Sequence, residues 1–213
     1  MANLLRILDR MQLDVAPPFL LIKPVSGEQE FYDLDEDAGW ELLDGRLVMS
    51  PASNRHEDLF GFLSTLLRGW LDERGGGTVR GSRYPMRLDP RWSPEPDLLV
   101  VLDVHRDRIG EQRLEGPADL VIEIASDGDP AFDEREKLPR YQAAGVPEIW
   151  LISPQTSSVR CDRRSAAGVY GTERRSAGRI DSLVVPGFSI EADWLWQDPL
   201  PSTFGCLRAL LES

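Results

Sequence analysis

The sequence is poor in cysteine, has no long apolar run and carries no excess of positive charge. Its two cysteines, Cys161 and Cys206, stand far apart and match no metal-binding spacing. So low a cysteine content suits a reducing compartment, which makes the cytoplasm the expected location. No apolar run approaches the roughly 18 residues that indicate a membrane span, and residues 1–12 do not resemble a signal peptide. We therefore expect a soluble protein with no membrane partner.

The formal net charge of −12 argues against broad nonspecific binding to nucleic acid, which depends on basic surface. Arginines nevertheless gather in two stretches, at 80–91 and at 160–179. A local basic groove is one interpretation of these stretches. Solvated strand faces and loops are the other, and the more common one.

Length and composition predict one sizeable core. The chain has 213 residues, of which 41% are hydrophobic and 28% charged, as in ordinary globular proteins. We expect an N-terminal arm at 1–34, a single α/β domain at 35–196 and a C-terminal tail at 197–213. The tail contains leucines at helical spacing.

The stretch 118–126 predicts a strand that is apolar on both faces, with Glu123 in its middle. Such a strand belongs to the centre of a sheet that is covered on both sides. An ionised carboxylate there is costly unless it is paired, bound to a metal or neutralised. Glu123 is therefore the leading candidate for a functional residue.

A second apolar strand is predicted at 98–102, with Asp97 at its opening. Pro94 and Pro96 fix an extended entry and exclude this segment from a central ladder. An acid at a strand start is often only a turn residue. If the strands at 97–102 and 119–125 are neighbours, however, Asp97 and Glu123 can share a divalent ion.

The segment 40–49 predicts a β-hairpin around the two-residue turn Asp44-Gly45. Pairing across this turn places Leu42 opposite Leu47 and Glu41 opposite Val48. Glu41 then stands among apolar neighbours, although an edge position would leave it in water.

A helix is predicted at 55–74, and Asn54 with Glu57 resembles its capping box. His56 lies on the apolar face of the first turn, where a histidine that only packs and bonds locally is the ordinary situation. The glycines at 75–77 end this helix. They form no phosphate loop, because no Lys-Ser/Thr pair follows.

A second helical segment is predicted at 132–144, and Pro139 should kink it or start a new helix. Asp133, Lys137 and Tyr141 follow at i, i+4 and i+8 and share one face. Lys137 either pairs with Asp133 on the surface or reaches the Glu123 strand. Further strands are predicted at 78–89 and 148–152, then in a meander near 158–163, 168–174 and 180–185.

In this order the motifs resemble the PD-(D/E)xK nuclease superfamily, and most closely its Uma-two family of restriction-endonuclease-like proteins. The resemblance covers about residues 35–190. Its matching pieces are Trp40-Glu-Leu-Leu-Asp-Gly-Arg46, His56 at a helix start, Pro96-Asp97, Val121-Ile-Glu-Ile-Ala-Ser126, Asp133 through Lys137 to Tyr141, and Ala144-Gly-Val-Pro-Glu-Ile-Trp-Leu-Ile152.

The resemblance implies a restriction-endonuclease-like α/β fold, with a mixed central sheet flanked by helices, and divalent-metal-dependent cleavage of DNA. Asp97 and Glu123 would bind Mg²⁺ or Mn²⁺, and Glu41 and His56 would complete the pocket. The superfamily's lysine two residues after the second acid is absent, since Ala125 stands there. The resembled family supplies a lysine from the next helix, so the resemblance transfers that role to Lys137. Cleavage of both strands would favour a homodimer, by analogy.

Two other functions stay open at this point. The acidic charge also suits a catalytically silent nuclease fold, kept as a binding or assembly module. It equally suits a metal-dependent hydrolase of a small phosphoester. Metal binding separates the enzymes from the silent module, and substrate length separates the two enzymes.

Overall fold

A six-stranded mixed sheet forms the centre of the structure, a computed structural model that describes residues 14–16, 20–25, 27–34, 39–49, 52–81, 83–126 and 130–212. Much of the expected N-terminal arm, at 1–13 and 17–19, lies outside these residues. The strands of the sheet are β5 (Gly77–Gly81), β7 (Leu98–Leu102), β9 (Leu120–Ile124), β10 (Glu148–Ser153), β11 (Ser158–Arg164) and β12 (Tyr170–Arg175). They stand in the order β12-β11-β10-β9-β7-β5, and only β9 and β10 run parallel.

Helices cover both faces of this sheet, which confirms the predicted α/β class. The long helix α2 (Asn54–Arg74) and the C-terminal helix α4 (Thr203–Glu212) pack on one face. A π-helical turn (Asp133–Lys137) runs directly into α3 (Leu138–Ala144) on the other face. Pro139 stands in the first turn of α3, where its missing N–H costs nothing. The predicted restart of the helix at this proline is therefore confirmed.

Strand β9 lies in the middle of the sheet and is buried along its whole length, as predicted. Leu120, Ile122 and Ile124 join the core beneath α2, while Val121 and Ala125 join the core beneath α3. Glu123 points to the second of these faces, because side chains alternate along a strand. Its position beneath the π-helical turn follows from this alternation.

A smaller sheet of order β1-β2-β4-β3 carries the predicted hairpin. Leu42 pairs with Leu47 and Glu41 with Val48, which confirms the predicted register. Both turn residues, Asp44 and Gly45, have positive φ, as this kind of two-residue turn requires. The strands of this sheet are β1 (Asp14–Ala16), β2 (Leu20–Pro24), β3 (Glu41–Leu43) and β4 (Arg46–Met49). The short helix α1 (Glu28–Tyr32) stands between β2 and β3 in the chain.

Three local predictions need correction. The N-cap of α2 is Ser53, whose hydroxyl accepts from the His56 N–H, and not Asn54. The strand expected at 78–89 is divided into β5 and the two-residue β6 (Met86–Arg87), which pairs with β8 (Leu114–Glu115). The third strand of the meander, β13 (Arg179–Asp181), pairs with β14 (Ser189–Glu191) and not with β12. Short strands such as these are fixed by non-local partners that periodicity does not reveal.

The C-terminal helix α4 lies close against α2. A Cβ on Gly69 of α2 would collide with the Leu207 side chain of α4, so glycine permits this approach. Cys206 and Leu210 are buried in the same interface. Within the described part of the chain, every helix is too short or too polar to cross a membrane.

Candidate active site

Asp97 and Glu123 face each other across two neighbouring antiparallel strands. Leu98 of β7 pairs with Ile122 of β9, so the residues one step further along each strand stand opposite each other. The Asp97 Oδ2 atom accepts a hydrogen bond of 2.7 Å from the Ile124 N–H, which fixes its carboxylate at the end of β9. The predicted adjacency of the two strands is thus confirmed.

The Glu123 carboxylate is 1% exposed and has two donors on the helical side of the site. Tyr141 donates to Glu123 Oε1 over 2.5 Å. The ammonium nitrogen of Lys137 lies 3.4 Å from Oε1 and 3.5 Å from Oε2. Burial raises the pKa of Glu123 well above its usual value; Lys137 opposes this shift, and the charges of Asp133, Asp97 and Glu41 add to it.

Lys137 reaches the strand because it lies at the end of the π-helical turn. Its Nζ atom is 2.9 Å from Glu41 Oε2 and 3.4 Å from Asp133 Oδ1, in addition to its contact with Glu123. Only 5% of the residue is exposed. Burial acts to lower the pKa of Lys137, but the three carboxylates outweigh it and raise that pKa. Lys137 does contact Asp133, but both residues are buried. The interpretation that the two form a pair on the surface is therefore wrong about where the pair lies. Single π-helical turns occur frequently at functional sites.

Glu41 connects the hairpin to the segment that leads into β7. Backbone hydrogen bonds in both directions join Leu42 to Ser93, which brings Glu41 beside Glu95. The Glu41 Oε2 atom accepts a 3.0 Å hydrogen bond from the Glu95 N–H. Glu41 therefore lies at the site with Lys137.

His56 lies beside Asp97, with its Nε2 atom 3.0 Å from Asp97 Oδ1. The ring's Nδ1 atom is 3.3 Å from Glu57 Oε1. Burial acts to lower the pKa of His56, but the hydrogen bond and charge of Asp97, helped by Glu57, raise it overall. An imidazole held in this way fixes the orientation of the Asp97 carboxylate.

Two further acids at the site were not predicted as functional. Burial, strengthened by the charge of Glu41, raises the pKa of Glu95 to about 8. Burial likewise raises the pKa of Asp133 to about 6, although Lys137 opposes it. The sequence signal for Asp133 was its shared helix face with Lys137. Glu95 gave no signal, because its flanking prolines indicate only extended backbone.

One cleft of about 250 Å³ is lined by the acids named above, by His56 and by Lys137. Gly39, Arg83 and Ser126 also line it. Within the described ranges, no three Asp, Glu, His or Cys side chains are preassembled as an ion site. Mg²⁺ nevertheless takes only one or two protein carboxylates and completes its shell with water and phosphate oxygens. Asp97 and Glu123 fit that donor set, and a cation would compensate the charge of a carboxylate whose pKa is raised by burial and by its acidic neighbours.

The structure brings all five predicted site residues to this cleft, which Glu41, His56, Asp97, Glu123 and Lys137 line together. It adds Asp133 and Glu95 as lining residues and Tyr141 as a donor to Glu123. The catalytic and metal-binding roles of the five stay predictions.

Comparison with solved structures gives a match to a crystal structure described as "a putative nuclease belonging to DUF820", from Anabaena variabilis ATCC 29413. The TM-score is 0.68 at 16% identity, over 81% of this chain and 98% of that one. Identity this low shows a shared fold and no more. No curated protein matches the chain. The model of the Uma2 family, described as "Putative restriction endonuclease", matches residues 28–193. Because this match spans most of the chain, from α1 to beyond β14, the protein belongs to the Uma2 family, as its motifs indicated.

Proposed function

We propose that this protein is a divalent-metal-dependent DNA endonuclease that hydrolyses phosphodiester bonds. One observation carries the proposal: Asp97 and Glu123 face each other at a cleft in which the Lys137 ammonium lies 3.4 Å from Glu123. This hydrolysis needs carboxylates that can bind a metal ion and a positively charged side chain that can contact the phosphate. Membership of the Uma2 family supports the same conclusion.

Each residue has a distinct task in this proposal. Asp97 and Glu123 hold Mg²⁺ or Mn²⁺, which when bound would neutralise phosphate charge and acidify a water molecule. Lys137 donates to the attacking water or to a phosphate oxygen, where negative charge develops during the reaction. Glu41 holds the ammonium group over the cleft from the hairpin side. His56 keeps the Asp97 carboxylate in place.

Tyr141 has a supporting task that the sequence did not indicate. Its hydroxyl donates to Glu123 Oε1, and this bond disfavours rotation of the carboxylate. A ligand fixed by a neighbouring donor binds its ion at lower entropic cost, because its orientation is already set. Tyr141 is therefore a positioning residue for Glu123 and does not itself contact the ion.

The test is nicking of supercoiled plasmid by the purified protein with Mg²⁺ or Mn²⁺, against EDTA and against Asp97→Ala. We expect conversion to open circles only with the ion and the native carboxylate. Equal nicking by Asp97→Ala would indicate a contaminant and would remove the support for the assignment. Light scattering of the active protein tests the expected homodimer.

A specific observation favours the catalytically silent binding module as the second candidate. Lys137 already contacts Glu41, Glu123 and Asp133 at once, so the cleft is partly neutralised without any metal. Isothermal titration with Mn²⁺ separates the two candidates. Binding that is lost in Glu123→Ala supports the nuclease, whereas the absence of both binding and nicking supports the module.

A further inference from the structure

A second and larger cavity, of about 400 Å³, adjoins the catalytic cleft. The two cavities share Gly39, Arg83 and Glu95 in their walls. The second cavity therefore lies directly beside the catalytic cleft. A volume of about 400 Å³ lies within the range of roughly 300–1,000 Å³ that is typical of small-molecule sites.

Aromatic rings line this second cavity from three different elements. Phe31 and Tyr32 come from α1, Trp40 from the start of the hairpin and Tyr84 from the segment before β6. The Phe31 and Tyr32 rings meet edge to face with centroids 4.9 Å apart. The hydroxyl of Tyr84 donates to the Gly110 carbonyl over 2.8 Å, which fixes the ring in the wall. Trp40 and Tyr84 are both partly exposed, so part of each side chain can be reached from solvent.

The polar groups of the wall suit a base better than a phosphate. Glu111 lines the cavity, and its carboxylate would repel a phosphodiester, whereas Glu95, with a pKa of about 8, keeps its proton near neutral pH. Carboxylates and the Gln112 amide can instead accept hydrogen bonds from the exocyclic amines of a nucleobase. A flat, aromatic, hydrogen-bonding ligand is thus favoured over the backbone of a nucleic acid.

Arg83 marks the junction between the two cavities. Its φ of +71° lies in the left-handed region, which a bulky residue rarely adopts without compensation. Its backbone N–H donates to the Glu95 carboxyl group. The hydrogen bond to Glu95 holds this backbone in the wall that the two cavities share.

At least seven of the ten arginines in the two arginine stretches are paired with acids. In the first, ion pairs hold Arg87 to Glu28 and Arg91 to Asp44. In the second, they hold Arg160, Arg163, Arg174, Arg175 and Arg179 to neighbouring acids. These pairs favour the interpretation of the stretches as ordinary surface. With a net charge of −12 as well, we expect base stacking to contribute to substrate affinity beside phosphate contacts.

We infer that the second cavity is a subsite for one unpaired nucleobase next to the phosphate that is cleaved, so that the substrate is a single-stranded or locally unpaired region of DNA. The inference rests on the proposed nuclease function of the adjoining cleft. Stacking on Trp40 and Tyr84 is tolerant of base identity, because every base has a π-face. It also supplies affinity that does not depend on basic surface.

Fluorescence anisotropy tests the subsite separately from cleavage. The full-length protein is titrated, with Ca²⁺ in place of Mg²⁺, into labelled single-stranded oligodeoxyadenylate, its fully abasic analogue, and a duplex of the same length. We expect the single strand to bind at least about tenfold more tightly than the abasic strand, as the loss of one stacked base predicts. The duplex should bind more weakly than the single strand.

Matched variants connect this affinity to the cavity. Trp40→Ala and Tyr84→Ala should each weaken single-strand binding by about tenfold, whereas Trp40→Phe and Tyr84→Phe keep a ring and most of the affinity. Phe204→Ala is the control, because Phe204 is 79% exposed on α4 and does not line the cavity. Thermal melting of each variant confirms that it is folded.

The outcomes separate the subsite from the nuclease. Unchanged binding by folded Trp40→Ala and Tyr84→Ala, or tighter binding to the duplex, overturns the subsite even if the native protein nicks plasmid. Loss of binding in both variants supports the subsite even if no nucleic acid is cleaved. Failure of the native protein to bind the single strand overturns the subsite directly.

Discussion

Glu123 and Glu148 are both buried carboxylates on neighbouring central strands, yet their surroundings differ. Glu148 is fully buried and accepts from Arg163, Trp150 and Ser182, with two further bonds from the N–H groups of Leu183 and Val184. Among the residues that the structure describes, Glu123 accepts from Tyr141 and Lys137 only, while Asp97, Asp133 and Glu41 add negative charge around it.

This difference distinguishes a carboxylate that is saturated with donors from one that has few. A carboxylate that is saturated with donors has little capacity left for a ligand. A carboxylate with few donors and several acidic neighbours has a raised pKa and gains most from an added cation. Glu148 therefore ties the 182–184 segment to the sheet, whereas Glu123 belongs to the cleft.

The largest expected effect is the loss of nicking when Asp97 or Glu123 is replaced. Asp97→Ala or Glu123→Ala should abolish metal-dependent nicking, because the ion loses one of its two carboxylates. The melting temperature should stay level or rise without metal, since removal of a crowded carboxylate relieves repulsion. Plasmid nicking and thermal melting of each variant measure the two effects, and full activity in either variant would remove that residue from the site.

The next largest effect concerns Lys137. Lys137→Met should lower turnover by about 10²–10³-fold, the usual loss when one charge-stabilising donor is removed. Metal affinity should fall little, because an ammonium group donates to water or phosphate and not to an ion. The free energy of unfolding should also fall, since three carboxylates lose their shared cation.

Asp133→Asn is the matched control for Lys137. It removes one carboxylate partner and leaves the ammonium group in place, so turnover should change little. Single-turnover kinetics and Mn²⁺ titration on both variants give the two quantities. If Lys137→Met keeps native turnover, the lysine is only a structural counter-ion.

A third prediction concerns the contribution of Glu148 to the free energy of unfolding. Glu148→Gln should lower the free energy of unfolding by about 3–5 kcal/mol, because it breaks a buried pair and turns an amide toward several donors. Glu123→Gln should cost far less. Urea unfolding curves compare the two variants, and equal losses would contradict the distinction between the two acids.

The effect that is smallest per unit of the variable changed is a dependence of stability on pH from Glu95. Its pKa rises from an ordinary 4.5 to about 8 in the folded protein, so between these values the folded state keeps a proton that the unfolded chain has released. This contribution is complete below pH 4.5 and is lost as the pH rises through about 8, with a slope of up to about 1.4 kcal/mol per pH unit. In EDTA, Glu95→Gln should flatten the slope, and an unchanged slope would assign it to other groups.

Local sequence patterns were sufficient for the central strands and the hairpin. Alternation around Glu123 predicted a strand buried on both faces, and the Asp44-Gly45 turn fixed the pairing of Glu41 with Val48. Both signals depend on a few consecutive residues. The shared helix face of Lys137 and Tyr141 was visible for the same reason.

Contacts between distant segments account for what the sequence did not reveal. Glu95 becomes a site residue only because Leu42 and Ser93 pair across about fifty residues of chain. The partner of β13 and the split between β5 and β6 also depend on such contacts. The apolar periodicity within a single segment does not indicate such contacts.

The sequence by itself determined that Glu123 is buried and that its strand is central, because burial follows from the apolar character of that segment. Only the tertiary structure decided that the Lys137 ammonium group lies beside Glu123. A π-helical turn sets its direction, and the packing of α3 on β9 brings its ammonium group to Glu123. The aromatic cavity beside the cleft was likewise decided by folding, since its walls come from segments that meet only in the folded chain.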